Sequence, residues 1–195
     1  MVNKIKSPDI YGIVLAGGKS RRFGRDKGLV PYKGKPLAAH SLDILQPHCH
    51  QLGISTNNPE AYTQFGTRVF SDLLPGKGPL GGMYTAMKEL PGKVFVFLGC
   101  DLPEVPIQLI GFLLSKLENR QAVIPVHKGF RETMCGVYRK ECLPMIEKAM
   151  QQNRLRILDA LNYLDTGYED IDREPFYRPG IFHNVNYPED ILPGK

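Results

Sequence analysis

The sequence of 195 residues contains no tryptophan, only four cysteines and no apolar run approaching the length of a membrane span. A spanning helix needs about 20 mostly apolar residues. The cysteines form no Cys-x-x-Cys pair, so neither a disulfide scaffold nor a thiolate zinc site is indicated. The N-terminal segment does not resemble a signal peptide, because its apolar run breaks at two glycines and then becomes charged. We therefore expect a reduced, cytoplasmic protein with no membrane partner.

The sequence also lacks any long block of like charge, although its net charge is +5. This excess of cations fits an anionic partner, and it equally fits an ordinary solvated surface. A nucleic-acid-binding protein would spread its cations along a groove and add aromatic side chains for stacking. Here the cations concentrate in one loop and tryptophan is absent, so we do not expect nucleic acid as the partner.

Two common phosphate-binding motifs are missing from the most distinctive stretch, Ile13-Val-Leu-Ala-Gly-Gly-Lys-Ser-Arg-Arg-Phe-Gly-Arg-Asp-Lys27. A P-loop needs a glycine where this sequence has Ile13, and the dinucleotide fingerprint needs a glycine where it has Lys19 or Ser20. The stretch nevertheless joins an apolar strand to glycines and five cations. Glycines permit close approach of backbone N–H groups to an anion, and arginines bind phosphate oxygens in pairs. A mobile, charged surface loop is the alternative.

Apolar residues make up 42% of the chain, enough for a sizeable core. Short apolar runs alternate with helical patterns, which predicts an α/β fold in three layers: an open, mostly parallel sheet with helices on both faces. We expect residues 1–195 to form a single domain. The proline at 125 should confine its strand to a sheet edge or a strand end. The predicted strands cover 11–16, 52–56, 67–70, 94–98, 122–126 and 132–138, and the predicted helices 37–45, 61–65, 81–90, 107–117, 142–150 and 155–164.

Ligands of such sheets bind outside the carboxyl ends of the strands. The segments that follow the first strands are 17–27, 57–58, 72–82 and 100–101, and we expect them to meet at one edge. Asp101 follows a buried strand directly, and a hard cation prefers carboxylate oxygen, so it is our candidate ligand for Mg²⁺. Capping of the next helix is the alternative role for this carboxylate, but two prolines intervene.

The loop Leu15-Ala-Gly-Gly-Lys-Ser-Arg-Arg-Phe-Gly-Arg-Asp-Lys27 resembles the signature of the GT-A-like nucleotidyltransferases. Its Gly-x-Asp-Lys ending is similar to that of the molybdenum cofactor guanylyltransferases, although Phe23 stands where methionine is usual. Four further motifs are similar to that family in order and spacing: Lys33-Gly-Lys-Pro-Leu37, Gly78-Pro-Leu-Gly-Gly-Met83, Gly99-Cys-Asp-Leu-Pro103 and Asn184-Val-Asn-Tyr-Pro-Glu189. The resemblance implies a Rossmann-like sheet of the nucleotide-diphospho-sugar transferase type.

The same resemblance implies an Mg²⁺-dependent transfer of GMP from GTP to the terminal phosphate of molybdopterin, with release of pyrophosphate. This activity is compatible with protein partners that deliver molybdopterin or that take part in the maturation of molybdoenzymes. Another nucleotidyltransferase of the same fold, of the cytidylyl or sugar-1-phosphate type, is the alternative. No side-chain nucleophile is required, because the acceptor already carries a phosphate oxygen, and the sequence shows no convincing catalytic triad. Such transfers depend on positioning and electrostatics.

We expect three catalytic residues, Arg22, Lys27 and Asp101. The expected nucleotide-binding residues are Leu15, Ala16, Gly17, Gly18, Lys27, Ser55, Asn57, Asp72, Gly78, Gly82 and Asp101. The family resemblance suggests Asn184 and Asn186 on the acceptor side, and charge alone suggests Arg154 and Arg156 for the acceptor phosphate.

Simpler roles remain open for several of these residues. Lys27 could form a surface ion pair, and Asp72 could cap the turn before Pro75. Asn57 lies in a turn signal, and Asn184 and Asn186 could cap backbone groups. A metal site at His48-Cys49-His50 is a further alternative, although no second pair of ligands follows it.

Overall fold

The computed structural model describes residue 7 and residues 9–17 and 24–191. This part of the chain forms ten strands and five α-helices. None of its helices has the length and apolarity needed to cross a bilayer. The strands are β1 (Ile10–Leu15), β2 (Pro31–Tyr32), β3 (Lys35–Pro36), β4 (Gln51–Ser55), β5 (Arg68–Phe70), β6 (Val94–Gly99), β7 (Ala122–His127), β8 (Phe130–Arg131), β9 (Cys135–Arg139) and β10 (Thr166–Asp170). The α-helices are α1 (Leu37–Leu45), α2 (Pro79–Glu89), α3 (Ile107–Lys116), α4 (Leu143–Gln151) and α5 (Ile157–Leu161). Short 3₁₀ helices cover Lys27–Leu29, Pro59–Phe65, Lys140–Cys142 and Pro188–Ile191.

Eight of these strands form one sheet in the order β10-β7-β9-β6-β1-β4-β5, with β8 paired to β7. Strands β5, β4, β1, β6, β7 and β10 run parallel, and within the described sheet β8 and β9 run antiparallel. Strands β2 and β3 form a separate antiparallel hairpin. The mostly parallel sheet predicted from the alternating sequence pattern is therefore confirmed.

The central strand β1 shows why helices cover both faces. Successive side chains of a strand point to opposite faces. Tyr11, Ile13 and Leu15 belong to the cluster that includes α2, α4 and α5, whereas Val14 belongs to the opposite cluster with α1 and α3. Both sets are buried. The two buried clusters make this a three-layer fold, as predicted.

The register of the parallel strands places their carboxyl ends level with one another. Leu15 pairs with Ser55 on one side and with Gly99 on the other, and Ser55 pairs with Phe70. The chain segments that leave these four positions therefore start side by side, and this edge of the sheet is where the site residues lie.

The proline of β7 gives a different result from the one expected. Strand β7 lies inside the sheet, between β10 and β9, and Pro125 is the fourth of its six residues. The prediction that the proline confines this strand to a sheet edge or lies at a strand end is therefore wrong. The strand pairs with β9 only at Ala122 and Val123, and with β8 only from Val126. Pro125 lies between these two short ladders. The N–H group that proline lacks is therefore not needed for a hydrogen bond to β8 or β9.

Candidate active site

A cavity of about 220 Å³ lies at the carboxyl ends of β1, β4 and β5. Parallel sheets commonly bind ligands at this edge. Seven of the residues predicted to bind nucleotide line the cavity, together with Gly76 and Pro79. The seven are Leu15, Gly17, Ser55, Asn57, Asp72, Gly78 and Gly82.

The space in this cavity depends on glycine at two positions of α2. A Cβ atom added at Gly82 would lie 2.4 Å from the Ser55 hydroxyl oxygen, and one added at Gly81 would lie 2.9 Å from Asp72 Oδ2. Both distances are far shorter than ordinary van der Waals contact. Gly78, which precedes α2, has φ of +60°, a conformation that glycine adopts without strain. The glycines thus let the first turn of α2 approach the ends of β4 and β5.

Ser55 and Asp72 form the polar wall of the cavity. Ser55 Oγ donates a hydrogen bond to Asp72 Oδ1 over 3.1 Å. Burial raises the pKa of the Asp72 carboxyl, and the bond from Ser55 opposes this rise. The loop after Asp72 is fixed by Thr85, whose hydroxyl oxygen accepts from the Leu73 backbone N–H at 2.9 Å and donates to the Gly81 carbonyl at 2.8 Å. Thr85 was missed in the sequence, where it is only one polar position on a buried helix.

Beside this cavity, Lys27, Asp101 and Asn186 converge from three distant parts of the chain. Lys27 Nζ lies 3.0 Å from Asp101 Oδ2 and donates to Asn186 Oδ1 over 2.7 Å. The side chains of Lys27 and Asp101 are 15% and 20% exposed. This half-buried arrangement is not the surface ion pair considered as the simpler role for Lys27.

Asp101 is joined to the glycine turn through its neighbour. The Cys100 backbone N–H donates to the Leu15 carbonyl at 3.1 Å, and the Asp101 carbonyl accepts from the Val185 N–H at 3.0 Å. The carboxylate therefore lies next to the Leu15–Gly17 segment, as expected from the strand order. It does not cap α3, which begins after Pro106 without a side-chain cap.

One oxygen of the Asp101 carboxylate is available for a further ligand. Asp101 Oδ1 is buried and has no hydrogen-bond partner among the residues that the structure describes. A Cβ at Gly99 would lie 2.6 Å from this oxygen, so glycine keeps the space beside it open. Within the described residues no three His, Cys, Asp or Glu side chains group as a metal site. A cation here would take one carboxylate from the protein and complete its shell with water and phosphate oxygens, which suits Mg²⁺.

Lys27 is held in place by its neighbour Asp26. Asp26 Oδ1 accepts from the Gly28 N–H at 3.2 Å and from the Tyr62 hydroxyl at 2.6 Å. Tyr62 is fully buried, and a Cβ at Gly28 would lie 2.2 Å from its hydroxyl oxygen. Asp26 therefore fixes the start of the Lys27–Leu29 turn against the core. The motif Asp26-Lys27 drew attention to the pair, but its partner Tyr62 lies too far along the chain to be recognised from the sequence.

Glu104 connects the hairpin, the loop after β6 and the C-terminal segment. It accepts hydrogen bonds from Tyr32 at 2.9 Å and Lys33 at 2.5 Å, and from Arg178 at 3.1 Å. Burial raises the pKa of Glu104, but the hydrogen bonds from Lys33 and Tyr32 and the positive charges of Lys33 and Arg178 together outweigh it and lower the pKa. Glu104 lies three residues after Asp101, so this contact fixes the segment that carries the carboxylate.

The remaining predicted residues fall into three groups. Gly18 and Arg22 lie outside the described residues. Ala16 is buried and donates its backbone N–H to the Ser55 carbonyl at 2.8 Å, so it supports the cavity without lining it. Asn184 Nδ2 donates to the Phe182 carbonyl at 3.3 Å, which is the backbone-capping role considered as its alternative.

The two arginines proposed from charge separate in the structure. Arg154 donates to the Tyr163 hydroxyl at 2.8 Å, whereas Arg156 lines a second pocket. At the His-Cys-His stretch, His48 Nε2 lies 3.0 Å from the Ile107 carbonyl, and buried Cys49 packs against Gly12. His48 therefore contacts the start of α3 and Cys49 packs against β1, and no cluster of metal ligands forms among the described residues.

Comparison with known families gives a match over most of the chain. The family described as the MobA-like NTP transferase domain matches residues 12–166. This range contains all the residues that line the cavity, together with Lys27 and Asp101.

Three relatives cover nearly the whole chain. A probable molybdenum cofactor guanylyltransferase from Halalkalibacterium halodurans is 35% identical, over 94% of this chain and 96% of its own. A molybdenum cofactor guanylyltransferase from Shewanella piezotolerans is 34% identical, over 92% of this chain and 89% of its own. The crystal structure of molybdopterin-guanine dinucleotide biosynthesis protein A from Archaeoglobus fulgidus superimposes with a TM-score of 0.78 at 25% identity, covering 93% of this chain and 94% of that one.

Proposed function

Since the chain belongs to the MobA-like NTP transferase domain family, we propose that it is a guanylyltransferase of molybdenum cofactor biosynthesis. It moves GMP from GTP to the terminal phosphate of molybdopterin and releases pyrophosphate. The names of the similar proteins from Halalkalibacterium halodurans and Shewanella piezotolerans support the choice of substrates. The single observation that carries the proposal is that Lys27 and Asp101 converge at the sheet edge, beside a cavity whose space depends on glycines.

The reaction forms one P–O bond and breaks another. An oxygen of the acceptor phosphate attacks the α-phosphorus of GTP, and the bond from that phosphorus to the bridging oxygen of the β-phosphate breaks. Pyrophosphate leaves with the electron pair of that bond. The nucleophile is already an anion, so the protein needs no base to generate it. The task of the protein is to hold two anions together and to compensate their charge.

The residues of the site divide this task between them. The cavity lined by Ser55, Asn57 and Asp72 takes the nucleoside part of GTP, and the backbone of Gly17 faces the phosphates. Lys27 supplies a cation that is already oriented by Asp101 and Asn186. Groups that are oriented before the reaction stabilise developing charge without a cost of reorganisation.

A divalent cation fits the chemistry of the site, and we assign it to Asp101 as Mg²⁺. Two observations support this assignment: Asp101 Oδ1 is buried without a partner in the described part of the chain, and the space beside it at Gly99 is open. When bound, the ion would act as a Lewis acid on phosphate oxygens and help to orient them. Asp101 would hold it, and Lys27 would stay close enough to contact the same phosphates.

We place the reaction in the cytoplasm. All four cysteines are free and buried, and cysteines of proteins from oxidising compartments usually form disulfides.

A thermal-shift panel tests the choice of nucleotide. The protein is heated with GTP, CTP, ATP or UTP in the presence of Mg²⁺, because a ligand that binds only the folded state raises the melting temperature. We expect stabilisation by GTP above the other three. Selective stabilisation by CTP would instead favour a cytidylyltransferase of the same fold, and no response to any nucleotide would contradict a nucleotidyltransferase.

A further inference from the structure

Tyr62 places a polar group inside the core, in contact with the segment that carries Lys27. Its side chain is fully buried in the cluster to which α1 and α3 contribute. Its hydroxyl donates to Asp26 Oδ1 over 2.6 Å. A phenylalanine would fill nearly the same apolar space, and burial of a hydroxyl removes it from water at a cost. Packing therefore explains the ring of Tyr62, but its hydroxyl needs a second explanation.

This hydroxyl contacts the residues on both sides of Lys27. Asp26 accepts its hydrogen bond, and a Cβ atom at Gly28 would lie only 2.2 Å from its oxygen. The same Asp26 oxygen accepts from the Gly28 N–H at 3.2 Å and caps the turn Lys27–Leu29. The backbone of Lys27 is therefore fixed through its preceding and its following residue by one buried group.

The position of this backbone decides where the lysine head group can reach. Lys27 Nζ lies 3.0 Å from Asp101 Oδ2 and 2.7 Å from Asn186 Oδ1. Hydrogen bonds from nitrogen to oxygen are confined to about 2.7–3.2 Å. In a reacting site, a misplacement of about 1 Å can cost about 10²-fold in rate. A shift of the turn after loss of the Tyr62 hydroxyl would therefore move the ammonium group out of place.

The short helix that carries Tyr62 continues directly from the nucleoside end of the site. It begins two residues after Asn57, which lines the cavity. The Asn58 N–H donates to Thr56 Oγ1 at 3.2 Å, and the N–H of the buried Thr56 donates to the Phe70 carbonyl at 3.0 Å. This segment is therefore tied to β5 before the helix starts, and Tyr62 has a fixed position relative to the cavity.

The phenol of Tyr62 stays protonated near neutral pH. Burial raises the pKa of Tyr62 far above its usual value, the hydrogen bond to Asp26 raises it further, and Thr56 acts in the opposite direction. A protonated phenol remains a donor, so titration of the tyrosine does not interrupt the bond to Asp26. This behaviour suits a group that holds its neighbour in place and does not suit one that transfers protons.

We infer that Tyr62 is a positioning residue of the transfer reaction: its hydroxyl holds Asp26, and Asp26 sets the turn that aims Lys27 at the phosphates. The inference rests on the proposed function, which gives Lys27 its part in binding GTP. Because Tyr62 is fully buried, it acts through Lys27 and not on the substrate. It joins the two ends of the site, since its helix starts from the segment of Asn57 and its hydroxyl bonds to the segment of Lys27.

Tyr62→Phe tests the role of the hydroxyl, and Tyr138→Phe is the matched control. Tyr138 is 1% exposed, and its hydroxyl has no hydrogen-bond partner in the described part of the chain. We expect Tyr62→Phe to lower kcat/KM for GTP about tenfold or more, measured by pyrophosphate release at saturating molybdopterin. Tyr138→Phe should leave this value close to that of the parent chain.

Variants of Asp26 test the same bond without altering the core. Asp26→Ala removes the acceptor and should lower kcat/KM as Tyr62→Phe does. Asp26→Asn retains an acceptor oxygen and should recover activity relative to Asp26→Ala. Circular dichroism spectra like that of the parent chain verify that each variant is folded. A kcat/KM equal to that of Tyr138→Phe for both Tyr62→Phe and Asp26→Ala would overturn the inference.

A double-mutant cycle with Lys27→Ala separates positioning from a general loosening of the core. Once the lysine side chain is absent, its position no longer matters. Tyr62→Phe should then change kcat/KM by less than about twofold, which is the usual error of additivity. Equal losses in the two backgrounds would show that the tyrosine acts on the fold as a whole, and the inference would be wrong.

Hydrogen exchange at the Gly28 amide keeps this test separate from the proposed function. The Gly28 N–H is protected by its bond to Asp26, so Tyr62→Phe should speed its exchange relative to Tyr138→Phe, with or without nucleotide. If no nucleoside triphosphate binds, the proposed function fails, and the exchange rate still decides whether Tyr62 anchors the lysine turn. Equal rates in the two variants would contradict that anchoring.

Discussion

The site has two ends that are built differently. At the Lys27–Asp101 end, charged side chains from distant segments fill the space beyond the strands. At the Ser55–Asp72 end, glycines keep the corresponding space open. The first end depends on electrostatics, because a cation, a carboxylate and an amide are held within hydrogen-bond distance. The second end depends on the shape of the backbone, because a single methyl group at Gly82 would collide with Ser55. Substitutions should therefore impair the reaction step at one end and the fit of the nucleoside at the other.

The largest effect is expected from Asp101→Asn. The amide keeps the shape and can still accept a hydrogen bond from Lys27, but it removes the charge that would hold a cation. We expect kcat to fall by at least about 10²-fold, the scale seen when a preorganised electrostatic contact is lost. Pyrophosphate release with GTP, molybdopterin and Mg²⁺ measures this, and the melting temperature serves as the folding control. Unchanged, Mg²⁺-dependent release would contradict the metal role.

Lys27→Ala should have the next largest effect. Loss of a hydrogen bond to a charged group costs about 1.5–3 kcal/mol, and we expect GTP binding to weaken by this amount. Isothermal calorimetry gives the affinity directly. The control is Lys93→Ala, since Lys93 forms an exposed ion pair with Asp9 beyond the start of β6. Equal GTP affinities for the two variants would remove Lys27 from the phosphate site.

Gly82→Ala tests the steric end of the site. The added methyl group must displace the Ser55 hydroxyl, so the Ser55–Asp72 bond should break and nucleotide affinity should fall by about 1 kcal/mol, the value of one hydrogen bond. In a Ser55→Ala background the hydroxyl is absent and the closest remaining contacts, with Ser55 Cβ and Leu15 Cδ2, are 3.2 Å, so most of the collision is relieved. The second substitution should then cost less than it does alone, which a double-mutant cycle of GTP affinities measures. Strict additivity would show that the two residues do not share the contact.

The smallest effect concerns the dependence of stability on pH at Asp72. Because burial raises the pKa of this carboxyl in the folded state, the folded protein binds its proton more tightly than the unfolded chain. Stability from this group is complete below its ordinary pKa and is lost as the pH rises through the folded value. Asp72→Asn removes that loss, so its melting temperature relative to the parent should increase between about pH 4 and pH 7, by less than about 4 °C. A constant difference across this range would rule out Asp72 as the cause.

The parts of this molecule that sequence reasoning predicts well are those governed by local patterns. Helix α1 begins after a proline and ends before another, and its predicted bounds match the structure. The cavity residues were predicted from the family resemblance and from the rule that ligands bind where the strands of a parallel sheet end, which identified segments 57–58 and 72–82. Gly82 is one example and Asp72 is another.

Long-range contacts and polar strands were not predictable in the same way. Strand β10 was missed because Thr166–Asp170 carries two acidic residues and only one buried position, so it lacks the apolar pattern of a strand. The partnership of Asp26 with Tyr62, and that of Glu104 with Arg178, join residues 36 and 74 positions apart. No local pattern reports such pairs. The contact of Asn186 with Lys27 joins equally distant parts of the chain and was not predicted for the same reason.

Residues 171–191, which follow β10, add no strand to the described sheet, yet they cross the sheet edge and contact the charged end of the site. Arg178 ties it to Glu104, the Val185 N–H ties it to Asp101, and Asp190 accepts from the Asn186 and Tyr187 N–H groups at 2.8 Å. The segment also buries Ile171, Ile181, Phe182 and Val185 in the core. A shortened protein ending at Asp170 would therefore lose part of its core together with Asn186, which accepts a hydrogen bond from Lys27. In this protein the segment that completes the charged end of the site is also part of the core, so its removal should impair folding and chemistry together.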